Sequence, residues 1–190
     1  MKQKEYNQLA EKTLSYNFYA EDQKMKNLLH GAIGLVTEAT ELVENYNGVK
    51  KHDSVNVFEE LGDITFYLSI PQRELAFEIL DDYFHTPLEQ EVFAAYGTIY
   101  CLDLINASSN LLDYHKKMLF YGKPMDEEKY KELFFEVAKS LRVIIQLEGF
   151  NIEDIHERNI SKLKARYGDK FTSDGALNRN LEKEREILEK

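Results

Sequence analysis

Two stretches, GLVTEATELVE (residues 34–44) and FEELGDITFYL (residues 58–68), decide the fold of this chain. Each stretch combines apolar residues at helical spacing with two carboxylates that stand three positions apart. The carboxylate pairs are Glu38 with Glu41, and Glu60 with Asp63. Because residues three apart lie on one face of an α-helix, each stretch predicts an amphipathic helix with an acidic face. Two such helices packed antiparallel would bring the four carboxylates together.

Four carboxylates at one place repel one another strongly unless cations neutralise them. Sets of oxygen ligands suit Mg²⁺ or Mn²⁺, and these ions favour substrates that carry phosphate. The spacing therefore predicts a divalent-metal site formed by Glu38, Glu41, Glu60 and Asp63. The spacing alone leaves open a second interpretation, in which the acids form an ordinary solvated helix face.

The composition limits the class of protein. A length of 190 residues, 43% of them hydrophobic, can supply a core, and the net charge of −10 argues against binding to nucleic acid. The single cysteine, Cys101, lies among apolar neighbours, which predicts a buried thiol and excludes a disulfide or thiolate zinc site. No apolar run approaches the length of a membrane span. We expect a cytoplasmic protein with neither a nucleic-acid nor a membrane partner.

Helices are predicted almost throughout, since glycine and proline are rare in the chain. Pro71 should interrupt the third helix, and the short sequence His85-Thr86-Pro87 should separate two halves. The predicted helices span residues 4–15, 23–47, 55–69, 72–84, 88–117, 126–148 and 151–167, followed by a tail helix on the surface at 174–190.

The two halves look like copies of one helical unit. EATELVE (38–44) aligns with ASSNLLD (107–113), and EELGD (59–63) aligns with FEVAK (135–139). At the four ligand positions the second copy has Ala107, Asn110, Glu136 and Lys139. That copy cannot hold the same metal cluster, and its lysine is expected to form a salt bridge with its glutamate. The alternative is that any two helical hairpins share such apolar spacing.

The fold expected from these patterns is an all-α helical bundle in a tandem arrangement, with a degenerate second repeat. The expected divisions are repeat one at about residues 4–86, repeat two at about 88–172 and a tail helix at 173–190. All three belong to one compact unit, residues 1–190.

The same stretches resemble the ExxE and ExxD motifs of the all-α nucleoside triphosphate pyrophosphohydrolases, the MazG-like and dimeric dUTPase-like superfamily. The tail NISKLKARYGDKFTSDGALNRNLEKEREIL (159–188) resembles the C-terminal motif of that superfamily, and YGKPMD (121–126) resembles its loop between the metal-ligand helices. An ExxE motif alone is common on solvated helices, whereas these motifs in this order are specific.

The resemblance implies a helical bundle that cleaves a (d)NTP between its α- and β-phosphates with Mg²⁺ or Mn²⁺, releasing a monophosphate and pyrophosphate. The four carboxylates would be the metal ligands. We assign the role of proton acceptor to Glu41, although any of the four could serve. The residues implied to hold the nucleotide are Asn159, Lys162, Arg166 and Tyr167. A non-catalytic nucleotide-binding or regulatory protein with the same fold is the alternative.

One departure from the superfamily pattern shapes the expected site. The carboxylates lie in the first half, whereas the segment from Asn159 to Tyr167 follows the second half. We therefore expect a fused dimer with one composite site, in which the first repeat holds metal and the second repeat holds nucleotide. The resemblance also leaves room for a homodimer of the fused chain.

Overall fold

A computed structural model of the chain describes residues 1–13, 15–19, 22–47, 52–80, 82–88 and 94–189. Every regular element in these ranges is helical, which confirms the all-α class. The elements are α1 (Gln3–Glu11), α2 (Gln23–Glu44), α3 (Ser54–Glu74), a 3₁₀ turn (Ala94–Tyr96), α4 (Gly97–Tyr121), α5 (Glu127–Glu148), α6 (Ile152–Tyr167), α7 (Ser173–Leu177) and α8 (Leu181–Leu188). None of the described helices has both the length and the apolar character needed to cross a bilayer.

Local side-chain chemistry sets the ends of the main helices. Asp22 accepts a hydrogen bond of 2.7 Å from the backbone amide of Met25 and caps α2. Asp53 caps α3 in the same way, through two amides of its first turn. At the other ends, Gly122 and Gly149 follow α4 and α5 with left-handed φ angles of 66° and 69°. Glycine takes this conformation without the steric cost that a side chain would add.

The helices pack as two hairpins, α2–α3 and α4–α5, which meet mainly along α2 and α4. Helix α6 then crosses back from the second hairpin to pack against α3, and α8 packs against both α6 and α3. This path brings the C-terminal part of the chain to the helix that carries Glu60 and Asp63.

One cluster of buried apolar side chains extends through both hairpins. The amphipathic character predicted for α2 and α3 is confirmed, because both helices bury apolar residues in this cluster. Those buried residues are Leu28, Leu35, Ala39 and Leu42 on α2, and Phe58, Leu61, Ile64 and Leu68 on α3. Cys101 is fully buried in the same cluster, and burial raises the pKa of its thiol to about 12. The thiol is therefore protonated near neutral pH, as expected of a structural cysteine.

The predicted break at Pro71 is wrong. Helix α3 continues through Pro71 to Glu74, and the proline ring is buried. The proline removes one backbone hydrogen bond of the helix, and burial of its ring offsets this loss. The helix predicted at 72–84 is also wrong in its described part. Its first residues belong to the end of α3, and after Glu74 the chain turns through Ala76 at φ 51°. The side chain of Gln72 accepts a hydrogen bond from the amide of Ile79 and holds this turn.

Other predicted boundaries shift or lie outside the described residues. Helix α4 begins at Gly97 rather than at residue 88, although residues 89–93 of that prediction are outside the described ranges. Residues 14, 48–51, 81 and 190, which belong to other predicted elements, also lie outside the described ranges.

The tail is two short helices rather than one helix on the surface. Thr172 caps α7 and Asn180 caps α8, so the helical path restarts between them. Leu188 is 2% exposed and belongs to the core cluster. Arg158 of α6 donates a 2.7 Å hydrogen bond to the carbonyl of Leu188. The prediction of a surface helix failed because contacts with α6 and α3, remote in sequence, decide which face of the tail is buried.

Because Leu188 fills a core position, Leu188→Ala should lower the free energy of unfolding by about 2 kcal/mol or more, the usual cost of a large-to-small core change. Leu181→Ala is a matched control on the same helix, since Leu181 is 64% exposed, and should change stability by about 0.5 kcal/mol or less. Urea unfolding of both variants measures the difference. Equal effects would show that the tail is not part of the core.

Candidate functional site

One cavity of about 480 Å³ contains the carboxylates of both sequence motifs. It lies between α2, α3, α6 and the tail. The carboxylates that line it are Glu38, Glu41, Glu59, Glu60 and Asp63. The structure therefore brings the four predicted carboxylates to one place and adds Glu59, which has no role in the sequence-based prediction.

Three of these carboxylates form a compact group. Glu38, Glu60 and Asp63 each offer one oxygen atom, and these oxygens lie within 4.8 Å of one another. Glu41 is exposed and lies outside this group, although it lines the same cavity. A cluster of oxygen ligands of this kind fits Mg²⁺ or Mn²⁺ better than softer metals.

Burial and mutual repulsion shift the titration of the group. Burial, followed by the charges of Glu41 and Glu38, raises the pKa of Glu60 to about 9. The pKa of Glu38 is raised as well, by burial first and then by the charges of Asp63 and Glu41. Near neutral pH the cluster therefore keeps a proton on Glu60. A cation that binds there must displace this proton, so its affinity should increase with pH.

Two of the predicted nucleotide-binding residues lie behind the carboxylates instead of in the cavity. Lys162 is completely buried, and its ammonium donates to both oxygens of Asp63 at 2.7 Å and to Glu59 at 3.2 Å. Asn159, also buried, donates a 2.8 Å hydrogen bond to Asp63. Neither side chain lines the cavity. Their visible role is to orient Asp63 and to compensate its charge.

The close approach of α6 to α3 depends on Gly62, within the second motif. A Cβ atom at this position would lie 2.9 Å from the side-chain nitrogen, Nδ2, of Asn159. Gly34, in the first motif, has a similar role, because a Cβ atom there would lie 2.3 Å from the ring of Tyr67. Both glycines let a neighbouring side chain approach the carboxylate helices closely.

The other two predicted nucleotide-binding residues, Arg166 and Tyr167, do line the cavity. Arg166 donates two hydrogen bonds to Glu184, at 2.9 and 2.6 Å. Arg179 lines the cavity as well and donates to Glu184 at 2.7 and 3.2 Å and to Glu59 at 3.1 Å. The sequence contains Arg179 and Glu184 within the quoted tail motif, but nothing in their spacing indicates that they meet Arg166.

Comparisons of this chain with protein-family models, with curated proteins and with solved structures found no match. The function therefore has to be inferred from the site.

Aromatic side chains cover another side of the same cavity. The rings that line it belong to His30, Phe66, Tyr67, Tyr167 and Phe171. Tyr67 packs edge to face against both His30 and Phe66, at centroid distances of 5.5 and 5.2 Å. Tyr167 packs against Phe171, which is 69% exposed. The cavity thus joins an acidic region, two guanidinium groups and an aromatic surface that can contact a flat apolar group.

A second cavity, of about 410 Å³, lies between α4 and α5. Its lining includes the four residues that align with the metal ligands, Ala107, Asn110, Glu136 and Lys139. The salt bridge expected between the last two does not form: no ion pair joins these two described residues, and both are exposed. Water can solvate both charges, so neither needs the other as a partner.

Lys162 should matter more for folding than an ordinary surface lysine, because its ammonium is buried between two carboxylates. We expect Lys162→Met to lower the free energy of unfolding by about 3–5 kcal/mol, as when one partner of a buried ion pair is removed. Lys164→Met is the matched control, since Lys164 is exposed on the same helix and its loss should cost about 0.5 kcal/mol or less. Chemical denaturation without divalent cations measures both. If Lys162→Met leaves the free energy of unfolding unchanged, the assigned role is wrong.

The raised pKa of Glu60 predicts how stability depends on pH. Between its ordinary value of 4.5 and about 9, the folded chain keeps a proton on Glu60 that the unfolded chain has lost. The folded state binds more protons in this window, so the contribution of Glu60 to stability falls as pH rises. In EDTA, Glu60→Gln should remove this loss and raise the free energy of unfolding near pH 8 by at least about 1.4 kcal/mol, the equivalent of one pKa unit.

Glu136→Gln, which makes the same change at an exposed glutamate of α5, is the control for this experiment. It should not raise the free energy of unfolding near pH 8, because water solvates its carboxylate. If the free energy of unfolding depends on pH in the same way in wild type and Glu60→Gln, the assigned titration of Glu60 is wrong.

Proposed function

We propose that this protein is a Mg²⁺-dependent nucleoside triphosphate pyrophosphohydrolase of the cytoplasm, which converts a (d)NTP to its monophosphate and pyrophosphate. One observation carries the proposal: a single cavity contains a cluster of oxygen ligands and two arginines. Carboxylate oxygens suit Mg²⁺ or Mn²⁺, and guanidinium groups suit phosphate oxygens. A substrate that requires both is a metal-bound polyphosphate.

The ligands proposed for the cation are Glu38, Glu60 and Asp63, with Glu41 beside them. A bound Mg²⁺ or Mn²⁺ lowers the pKa of water and neutralises phosphate charge. Glu41 is free to accept the proton of the attacking water, because it is exposed to the cavity. Behind this group, Asn159 and Lys162 keep Asp63 in one orientation.

The aromatic surface supports a nucleotide over an inorganic polyphosphate. Phe66 and Phe171 are both partly accessible at the cavity, and Tyr67 and Tyr167 lie beside them. Stacking on such rings stabilises any base, because every base has a π-face. The same property means that the rings favour a nucleoside without selecting a particular base.

The proposal extends to the MazG-like, tandem form of the bundle. It is supported by the second cavity, whose lining includes the residues aligned with the metal ligands. It is also supported by α6, which follows the second hairpin but contacts Asp63 on the first. Because these contacts form within one chain, a homodimer is not needed to assemble the site.

A second candidate function is nucleotide binding without hydrolysis, as in a regulatory protein. The observation that favours it is the bonding of Asp63, whose two oxygens accept hydrogen bonds from Lys162 while one also accepts from Asn159. A carboxylate has about four lone-pair sites, so a cation would share Asp63 with these donors.

Incubation with a panel of NTPs and dNTPs in Mg²⁺ separates the two functions. The enzyme should release the monophosphate and pyrophosphate in equal amounts, measured by ion-exchange chromatography. Glu41→Gln should lower kcat by about 10²–10⁴-fold if it accepts the proton. Glu136→Gln, in the second cavity, should retain wild-type turnover. Binding without any product in wild type would refute the enzyme and favour the regulatory function.

A further inference from the structure

The tail contributes an arginine to the cavity and also docks on the rest of the chain through contacts outside it. Leu188 is buried in the core, and Arg185 of α8 pairs with Asp53 at 2.9 Å. These contacts lie away from the cavity lining. Arg179, between α7 and α8, instead faces the cavity with its side chain 37% exposed.

A buried carboxylate holds this arginine beside a second one. The Glu184 side chain is 4% exposed and accepts hydrogen bonds from Arg166 and Arg179. Burial favours the protonated form of Glu184, but the two guanidinium groups outweigh it and lower its pKa. A buried carboxylate that fixes two long side chains removes much of the conformational freedom that a ligand would otherwise have to restrict.

Both arginines pair with carboxylates, and these pairs leave some of their N–H donors unused. Arg166 and Arg179 share Glu184, and the remaining contact of Arg179 is to Glu59, which Lys162 also binds. The carboxylate contacts of both arginines use their Nε and Nη2 atoms. Each planar guanidinium has five N–H donors, so both retain donors that can bind an anion in the cavity.

We propose that Arg179 binds the outer phosphates of the substrate together with Arg166, and that Glu184 positions both arginines. This inference rests on the proposed function, because it assigns the phosphates of that substrate. Arg166 and Arg179 would distinguish polyphosphate from monophosphate, since only the former places charge beyond the metal ligands.

The test uses the chain of 190 residues with Mg²⁺, and inorganic pyrophosphate is the probe. Arg179→Gln should weaken pyrophosphate binding, measured by calorimetry, by about 10-fold or more, as for loss of a charge-assisted hydrogen bond. It should also raise KM for the triphosphate while kcat changes little. Binding of the four deoxynucleoside monophosphates should change by less than about 2-fold. Arg185→Gln, which removes an arginine from the same tail outside the cavity, should behave as wild type.

For Glu184→Gln, two explanations of the role of Glu184 predict opposite changes in pyrophosphate affinity. If Glu184 acted only through its charge, removing a negative charge near the probe would tighten pyrophosphate binding. If it positions the arginines, binding should weaken despite that change. Arg179→Lys keeps the charge but loses the planar guanidinium group, so its affinity for pyrophosphate should be intermediate. This variant still tests the proposal if Glu184→Gln does not fold.

The outcomes separate this inference from the proposed function. Turnover in wild type with unchanged pyrophosphate affinity and KM in Arg179→Gln would overturn the inference and leave the enzyme in place. Weaker pyrophosphate binding in Arg179→Gln, without turnover in wild type, would support the anion site and overturn the enzyme. Equal weakening of pyrophosphate and monophosphate binding, together with a lower melting temperature, would show a purely structural role and overturn the inference.

Discussion

The buried contact between Lys162 and Asp63 is the interaction on which the rest of the site depends. It joins α6 to α3 through hydrogen bonds of 2.7 Å to both carboxylate oxygens, and Gly62 leaves the room for that approach. Removing an ammonium and a carboxylate from water is costly, and only a close, well-bonded pair offsets this cost. The same contact fixes one proposed metal ligand and anchors the helix that carries Arg166.

Cations divide into two groups around the carboxylates. Lys162 faces the protein interior and compensates Asp63 and Glu59, whereas Arg166 and Arg179 face the cavity. The inner cation supports the fold, while the outer pair is available to an anionic ligand. The carboxylates themselves oppose folding when no cation is bound, as the raised pKa of Glu60 indicates. Such a conflict between stability and local charge is typical of functional sites.

The two hairpins contribute unequally to the candidate site. The first supplies the cluster of acids, and the second supplies part of the common core and leads into α6 and the tail. In the second cavity, Glu136 and Lys139 are exposed to solvent, whereas Glu60 in the first cavity is buried. The candidate site therefore draws on residues from both halves of the chain.

The sequence by itself determined the helical class and the apolar and acidic faces of α2 and α3. These features follow from periodicity within one helix, which is a local property. Only the tertiary structure decided that Lys162 is buried, that Glu184 joins Arg166 to Arg179, and that the tail enters the core. It also decided that α3 runs through Pro71, where burial outweighs the lost hydrogen bond. Each of these depends on contacts between residues distant in sequence, and spacing along one helix does not specify which partner a charged side chain will meet.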